Sequence, residues 1–567
     1  MKYTALTIGP IHKTLKSVKS TKAIWAASYM FSFLMKEMIK KIKEQNEGIE
    51  FILPYTEEVE INGKTLKPLY ENFQTGLFPD RFIIKGKVDD LQNIIDEVLE
   101  EFTKGVFDDI NNIKKDEEKP IVIDKNLIKI YLENYINFYN LNIELSDKEN
   151  AILEIFKLLD SLELQQRVIE DASKNYLIDF LEQKYPYNYF VRGEFTKRPF
   201  PSTIEISTAE FYERYKDIKP YKEAVKKLKE GNDENQIEFI KDIKNIVGDS
   251  FRNYQKYIAV VQADGDNIGT FIKSLYEQDN KEENIKRFSK NLLCFAIEAV
   301  KLIKSYNGTP IYAGGDDLLY FMPVAQTTLE GNQVIINKTV FSLISEIDQI
   351  FDKYFTNYNE NGIDFKSIIE KAVKEDKDFK KPTLSYGISI SYYKYPLNQA
   401  LEQGAKQLFE QAKTGNKDAV SFTILKHSGN YFGTTFHKKS DSYTKFMELI
   451  TTPFEKDEFI KSIIRKLDPQ KAVLMAIGEK DKDERNNMID NFFTNNFNES
   501  IHKDKNDNNK LVPFLENTKE LVKEIYEEEK VNGTKEEKVK INENNIMKIY
   551  SALRFIEFIH NKEERDD

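Results

Sequence analysis

The sequence predicts an α+β protein in which two sheet-bearing modules are separated and followed by mainly helical segments. Three observations carry that expectation. KYTALTIGP opens the chain as a short apolar strand ending in Gly-Pro, and from Ser20 to Ile42 apolar residues recur at helical spacing. YIAVVQADGDNIG repeats this strand-turn-helix start after residue 250. From residue 121 to about 248, and again beyond 429, the pattern is mostly helical.

The first module, residues 1–120, continues with strands at IEFILPY and RFIIKG and an amphipathic helix at VDDLQNIIDEVLEEF. Residues 121–250 form a helical domain interrupted by YPYNYFVRGEFTKRPFPST, a Pro- and aromatic-containing loop. The second module, residues 251–432, follows its first strand with a helix from Asn284 to Tyr306 and the hairpin IYAGGDDLLYF. A helix near Thr339 to Phe355, strand TLSYGISISYY, helix Leu397 to Lys413 and strand AVSFTIL complete it. The order βαββαβ with one further helix and strand is a ferredoxin-like split βαβ pattern, the sheet of many nucleotidyl-transfer palm domains. Residues 433–567 are a C-terminal helical domain with polar loops at HKDKNDNNK and EEEKVNGTKEEK. ALTIGPIHKTLKS and VVQADGDNIGTFIKS echo each other, which predicts a duplicated palm whose first copy lacks carboxylates.

Composition narrows the class. With 567 residues, 40% hydrophobic and 31% charged, the chain is an ordinary globular protein of several domains. The apolar run AIWAASYMFSFLM, 13 residues with no cleavable-signal pattern, is too short to cross a bilayer, so a cytoplasmic protein with no membrane partner is expected. A single cysteine, Cys294, excludes an internal disulfide and a cysteine-only zinc cluster, and no zinc is expected. The net charge of −11 argues against wrapping nucleic acid with the whole surface and leaves room for a local basic groove.

The hairpin carries the chemistry. Gly314 and Gly315 explain a tight turn without any function, but Asp316 beside Asp317 at the entry to an apolar strand is electrostatically costly. A divalent cation offsets that cost. Asp264 and Asp266 end the module's first strand, and in this topology that end lies next to the hairpin tip, so Asp264 faces Asp316 and Asp317. Hard oxygen ligands suit two Mg²⁺ or Mn²⁺ ions, which predicts phosphoryl transfer with Asp264, Asp316 and Asp317 as catalytic and metal-binding groups and Asp266 as a further ligand. The rival reading of DGDNIG as a calcium loop lacks the twelfth-position Glu and runs straight into a helix. Gly265, Asn267, Gly314 and Gly315 are placed beside the nucleotide. Lys413, Asn416 and Lys417, in the loop before the last strand, are candidates for holding phosphate oxygens, against the alternative of a solvated helix end.

ADGDNIG followed by YAGGDD resembles the large palm-domain polymerase or cyclase subunit of type III CRISPR effector complexes, and LTIGPIHKTLKSVKSTKAIWAASYMFS, GLFPDRF and RPFPSTIEISTAEF are similar to its Cmr branch. The resemblance implies a non-catalytic first palm, a catalytic palm with GGDD, and a C-terminal helical domain facing small subunits. It also implies ATP as substrate, and guide RNA, target RNA and backbone and small subunits as partners. Target RNA then switches on conversion of ATP into a nucleotide second messenger, cyclic oligoadenylate or adenylylated S-adenosylmethionine. In the second case the acceptor pocket falls in the first palm, with Trp25 and Ser28 as its candidates. The first palm begins at Lys2, and the histidines His12, His427, His437, His502 and His560 include no His-Asp pair, so the HD nuclease of many relatives is not expected.

Two other readings compete. A diguanylate cyclase shares a Gly-Gly-acid hairpin and a strand-one Asp, but it has Glu-Phe after the acid and lacks the first module. A catalytically silent scaffold subunit would be expected to lose acids, not to display three or four.

Overall fold

The structure, a computed structural model, describes residues 1–46, 48–114, 124–146, 149–165, 175–182, 200–230, 233–330, 333–356, 359–360, 363–426, 429–452, 457–497, 511–528 and 535–561. Most of the loop read at 185–203 and the polar stretches at 502–510 and 529–534 lie outside the described residues.

The chain opens with β1 (Lys2–Gly9), then β2 (Glu50–Leu53), a side hairpin of β3 (Val59–Ile61) and β4 (Lys64–Leu66), β5 (Arg81–Lys85) and β6 (Asn137–Glu144). Four of these pair antiparallel in the order β2–β5–β1–β6. Thr4 through Ile8 of β1 are buried, so the strand reads as a continuous apolar run and not as an alternation. Helix Thr21–Gln45, started by Ser20 accepting from the Ala23 N–H at 3.1 Å, is apolar nearly all round from Ala23 to Met35 because protein surrounds that stretch. The fourth strand of this sheet, β6, lies past residue 120, inside the segment read as mostly helical. The first sheet therefore extends to Glu144.

The second module repeats the topology. Its strands are β7 (Tyr257–Asp266), β8 (Thr309–Gly314), β9 (Asp317–Pro323), hairpins β10 (Ala325–Glu330) with β11 (Gln333–Thr339) and β12 (Asn359–Glu360) with β13 (Ile363–Asp364), then β14 (Thr383–Tyr392), β15 (Ala419–Leu425) and β16 (Tyr431–His437). The sheet order is β16–β15–β14–β7–β9–β8. Within it β14–β7–β9–β8 matches β6–β1–β5–β2 of the first sheet, and the two echoing segments occupy equivalent places, each a central strand leading into a helix. Both modules are ferredoxin-like, as the βαββαβ order predicts.

Neighbouring residues of β14 point to opposite faces. The Tyr386 hydroxyl donates to Asp348 of helix Val340–Phe355 at 2.9 Å, whereas Gly387 lies under helix Leu397–Lys406 and the π-helical turn Gln407–Ala412 that ends it. The C-terminal helix Lys535–His560 joins this core through Phe555, whose ring lies 5.1 Å from Phe341 and 5.4 Å from Phe422. Among the described residues no helix is long and apolar enough to cross a membrane.

The two modules dock directly. The Ala313 N–H donates to Gly76 O at 2.8 Å, and a Cβ on Gly76 would come within 3.2 Å of the Tyr312 ring, so the stretch before β5 lies against edge strand β8. Lys85 and Glu282 add an ion pair across the joint at 2.7 Å.

A Cβ at Gly387 would meet Gly404 O and Leu408 N at 2.3 Å, both backbone atoms that a rotamer change cannot move. Gly387→Ala is therefore expected to lift the helix from the sheet and cost about 1–3 kcal/mol, read as a lower urea midpoint.

Candidate active site

The pairing of β7 with β9 decides where the acids lie. Ala263 sits opposite Leu318, so the chain beyond Ala263 and the turn before Leu318 emerge side by side. The turn itself has two residues, Gly315 and Asp316, between the paired Gly314 and Asp317. Gly315 alone is at positive φ, 71°, the pattern of a type II′ hairpin with glycine first. Gly314 serves a different purpose, since a Cβ there would strike the Tyr312 hydroxyl at 2.2 Å. Gly265 is needed for the same kind of reason. A Cβ on it would lie 2.2 Å from Asp316 Oδ2, so the hairpin acid rests directly on the backbone between Asp264 and Asp266.

Each acid has its own surroundings. Asp266 is fully buried, and its Oδ2 accepts from Ser385 Oγ at 2.7 Å, the Asp418 N–H at 3.0 Å and Thr383 Oγ1 at 3.1 Å. Its Oδ1 has no hydrogen-bond partner, with the Lys413 ammonium at 3.8 Å. Burial raises the Asp266 carboxyl above the ordinary range against the pull of those donors. Burial likewise raises Asp316, with backbone hydrogen bonds at Asp316 and Gly265 opposing and the Asp266 charge adding to it. Asp317 is raised furthest, by crowding of protein around it and then by the charges of Asp316 and Asp80. Its side chain reaches solvent, and the neighbouring carboxylates repel its charge there.

Positive groups line the other rim. Lys413, at the end of the π-helical turn, pairs with Asp264 and donates to Gly265 O at 2.8 Å. Burial and then Lys417 pull its pKa down to about 8, although Asp264 favours the charged form. Asn416 Oδ1 accepts from Lys380 Nζ at 3.2 Å, and Lys417 lies near enough to lower the Asp266 pKa. Asn267 adopts left-handed backbone, φ 61°, and its side-chain amide donates to Lys381 O at 3.2 Å. The proposed acids, glycines, Asn267 and the 413–417 loop are thus brought together around the end of β7.

Trp25 and Ser28 are not part of that surface. They are 2% and 4% exposed, and the Trp25 indole donates to Gln74 O at 2.9 Å and stacks on Tyr29 at 5.1 Å, so their reading as an accessible acceptor pocket is corrected to core packing. The first module sends Asp80 instead, held by the bond from the Ile8 N–H to Asp80 O at 2.9 Å, and its charge is felt at Asp317 and Tyr312. Nothing local in GLFPDRF marks this acid for the site, and the same holds for Lys380 and Asp418. The polar residues Thr383 and Ser385 at the start of a buried strand are the available signal.

Among the described residues no three acidic, histidine or cysteine side chains close a ready metal shell. The donor chemistry nevertheless fits a hard divalent cation. Carboxylates converge, repel one another, and leave the buried Oδ1 of Asp266 without a donor.

Residues 257–421 match the family model for the second palm domain of Cas10/Cmr2, and residues 3–113 match that for the N-terminal region of the CRISPR-associated protein Cmr2. The Cmr subunit Cmr2 of Pyrococcus furiosus is 29% identical over 231 residues, covering 36% of this chain and only 23% of that protein. The fold is similar to type III-B Cmr-beta solved in its apo state (TM-score 0.50, 14% identity, 90% of this chain and 79% of that one) and bound to cognate target RNA (TM-score 0.52, 12% identity, 90% and 80%). A Cas10/Cmr2-type segment thus lies at each of the two palm-like modules of this chain.

Proposed function

We propose that this chain is a metal-dependent nucleotidyltransferase of a type III CRISPR complex that converts ATP into a nucleotide second messenger when target RNA is bound. The observation that carries the reading is the pairing of an acidic floor, Asp264, Asp266, Asp316 and Asp317, with a cationic rim at Lys413, Lys417 and Lys380. Such a site holds cations on one side and phosphate oxygens on the other.

In the reaction a ribose hydroxyl attacks the α-phosphorus of ATP. An O–P bond forms, the hydroxyl proton passes to solvent, the α–β bridging bond breaks, and pyrophosphate leaves. Bound Mg²⁺ or Mn²⁺ supplies a more acidic hydroxyl and neutralises charge on the leaving group. Asp264, Asp316 and Asp317 would hold the ions, with Asp266 Oδ1 as a further ligand. Lys413 would exchange its ion pair with Asp264 for the triphosphate, and Lys417 and Lys380 would steady the same oxygens. Gly315 leaves room for close approach of the nucleotide, Gly265 and Gly314 make way for Asp316 and Tyr312, and the bend at Asn267 starts the helix beside it.

In this reading the first palm is non-catalytic and covers residues 1–120 with the added strand β6. The helical domain occupies 121–250, the catalytic palm 251–432, and the C-terminal helical domain 433–567 faces other subunits. Guide and target RNA act through those subunits, in keeping with the net charge of −11.

Asp316→Ala with Asp317→Ala, and separately Asp264→Asn, should abolish product from ATP in the assembled, target-bound complex while leaving assembly and RNA binding intact, and EDTA should do the same to wild type. Undiminished product would reject the assignment. Product masses with and without S-adenosylmethionine identify the acceptor, and linked adenylates alone are expected for the cyclic oligoadenylate route. Lys380→Ala should raise KM for ATP about 10-fold, the scale of one charged hydrogen bond.

The raised acids make a stability prediction. A carboxyl whose folded pKa lies above its unfolded value binds its proton more tightly when folded, so it disfavours the folded state once pH passes the unfolded pKa. Asp317→Asn is therefore expected to raise the melting temperature of the metal-free chain at pH 7, with the gain disappearing below about pH 4. Mn²⁺ should stabilise wild type more than this variant.

A further inference from the structure

One of the three donors that fix Asp266 comes from an unfavourable piece of backbone. The turn that offers the Asp418 N–H has Gly415, Lys417 and Asp418 at φ 67°, 56° and 50°, and for the two residues with side chains left-handed backbone costs about 1–2 kcal/mol each. Something must hold that turn in place.

Lys438 is the residue best placed to do so. Its N–H donates to Asp418 O at 3.0 Å, and its ammonium lies 3.2 Å from Asp418 Oδ1. The side chain is 8% exposed, and its other anchor is Asp348 Oδ2 at 2.6 Å, which belongs to the helix on the opposite face of the sheet from Gly387. Tyr386 completes the grip, bonding Asp348 through its hydroxyl and lying with its ring 5.0 Å from the ammonium. Lys439, largely exposed, pairs with the second oxygen of Asp418 at 2.5 Å and is the weaker clamp because water screens it. Without Lys438 two crowded carboxylates, Asp348 and Asp418, would face each other, and the turn would have reason to open.

We infer that Lys438 is a positioning residue for the nucleotidyl-transfer site: by pinning Asp418 in left-handed backbone it sets the N–H that turns Asp266 Oδ1 toward the metal-binding cleft. The inference rests on the reaction proposed above. Lys438 stands three residues before helix Asp441–Thr451, so the same pin ties the start of the C-terminal helices to the acids. A shift of those helices would reach Asp266 through one ion pair and one backbone bond.

The test uses the full chain as wild type, Lys438→Met, Lys438→Arg and the Asp316→Ala/Asp317→Ala variant, with Mn²⁺ as probe in the presence of a non-hydrolysable ATP analogue. Bound Mn²⁺ is read from the loss of the free-ion electron paramagnetic resonance signal. Lys438→Met should weaken Mn²⁺ binding about 10-fold or more, the scale for losing an outer-shell partner of a metal ligand. Lys438→Arg, which keeps the charge, should recover most of it. Should Lys438→Met fail to fold by circular dichroism, Asp418→Asn takes its place with the same expectation, since Asn tolerates left-handed backbone and only the ion pair is lost. Mn²⁺ affinity equal to wild type in the folded variant overturns the positioning role and leaves the proposed reaction standing. Wild type binding Mn²⁺ no better than the double-alanine variant overturns both.

Discussion

The register of β7 against β9 is the constraint on which the rest depends. With Ala263 opposite Leu318, the strand end bearing Asp264 and Asp266 and the turn bearing Asp316 have no choice but to meet, and Gly265 has to be glycine because Asp316 lies where its Cβ would be. Like charges brought together in this way raise one another's pKa and oppose folding. A fold that keeps such a cluster has a use for it, and hard-cation binding is the use the oxygen donors fit.

The surroundings of the cluster are consistent with that use. Three donors converge on one oxygen of Asp266 and leave the other bare, which orients the carboxylate without neutralising it. The π-helical turn at Gln407–Ala412 brings the helix end down so that Lys413 reaches Asp264 and Gly265, and π turns of this kind recur where a side chain must be re-aimed. From the other module comes Asp80, carried by the stretch docked along β8. The duplicated sheet thus closes over the acids and contributes one itself, which explains why the two modules are held together by backbone bonds as well as by side chains.

Much of this was legible in the sequence because it is local. The βαββαβ order followed from apolar periodicity, and the hairpin followed from two glycines between apolar runs. That the end of β7 comes beside the hairpin turn followed from topology alone. What escaped was long-range or irregular. β6 was hidden because NFYNLNIE, although it alternates apolar and polar residues, follows a helical pattern and finds its partner, β1, 128 to 142 positions earlier. The hairpins β3–β4 and β10–β11 carry too few apolar residues to announce themselves. Trp25 looked like a pocket residue because an indole on a helix after a turn carries no sign of which face is covered, and the backbone of Gln74 and the ring of Tyr29 decide that. Asp80, Lys380 and Asp418 act at the site through contacts that only the folded chain creates.

The central claim is that the acids at the end of β7 and on the hairpin form one metal-binding, ATP-handling centre. The most direct measurement is a structure of the target-RNA-bound complex with Mn²⁺ and a non-hydrolysable ATP analogue, read by anomalous scattering at the manganese edge. The account predicts manganese peaks in contact with Asp264 and the Asp316–Asp317 pair, with the triphosphate reaching toward Lys413 and Lys417. A well-ordered nucleotide bound elsewhere, with no manganese at these carboxylates, would contradict it.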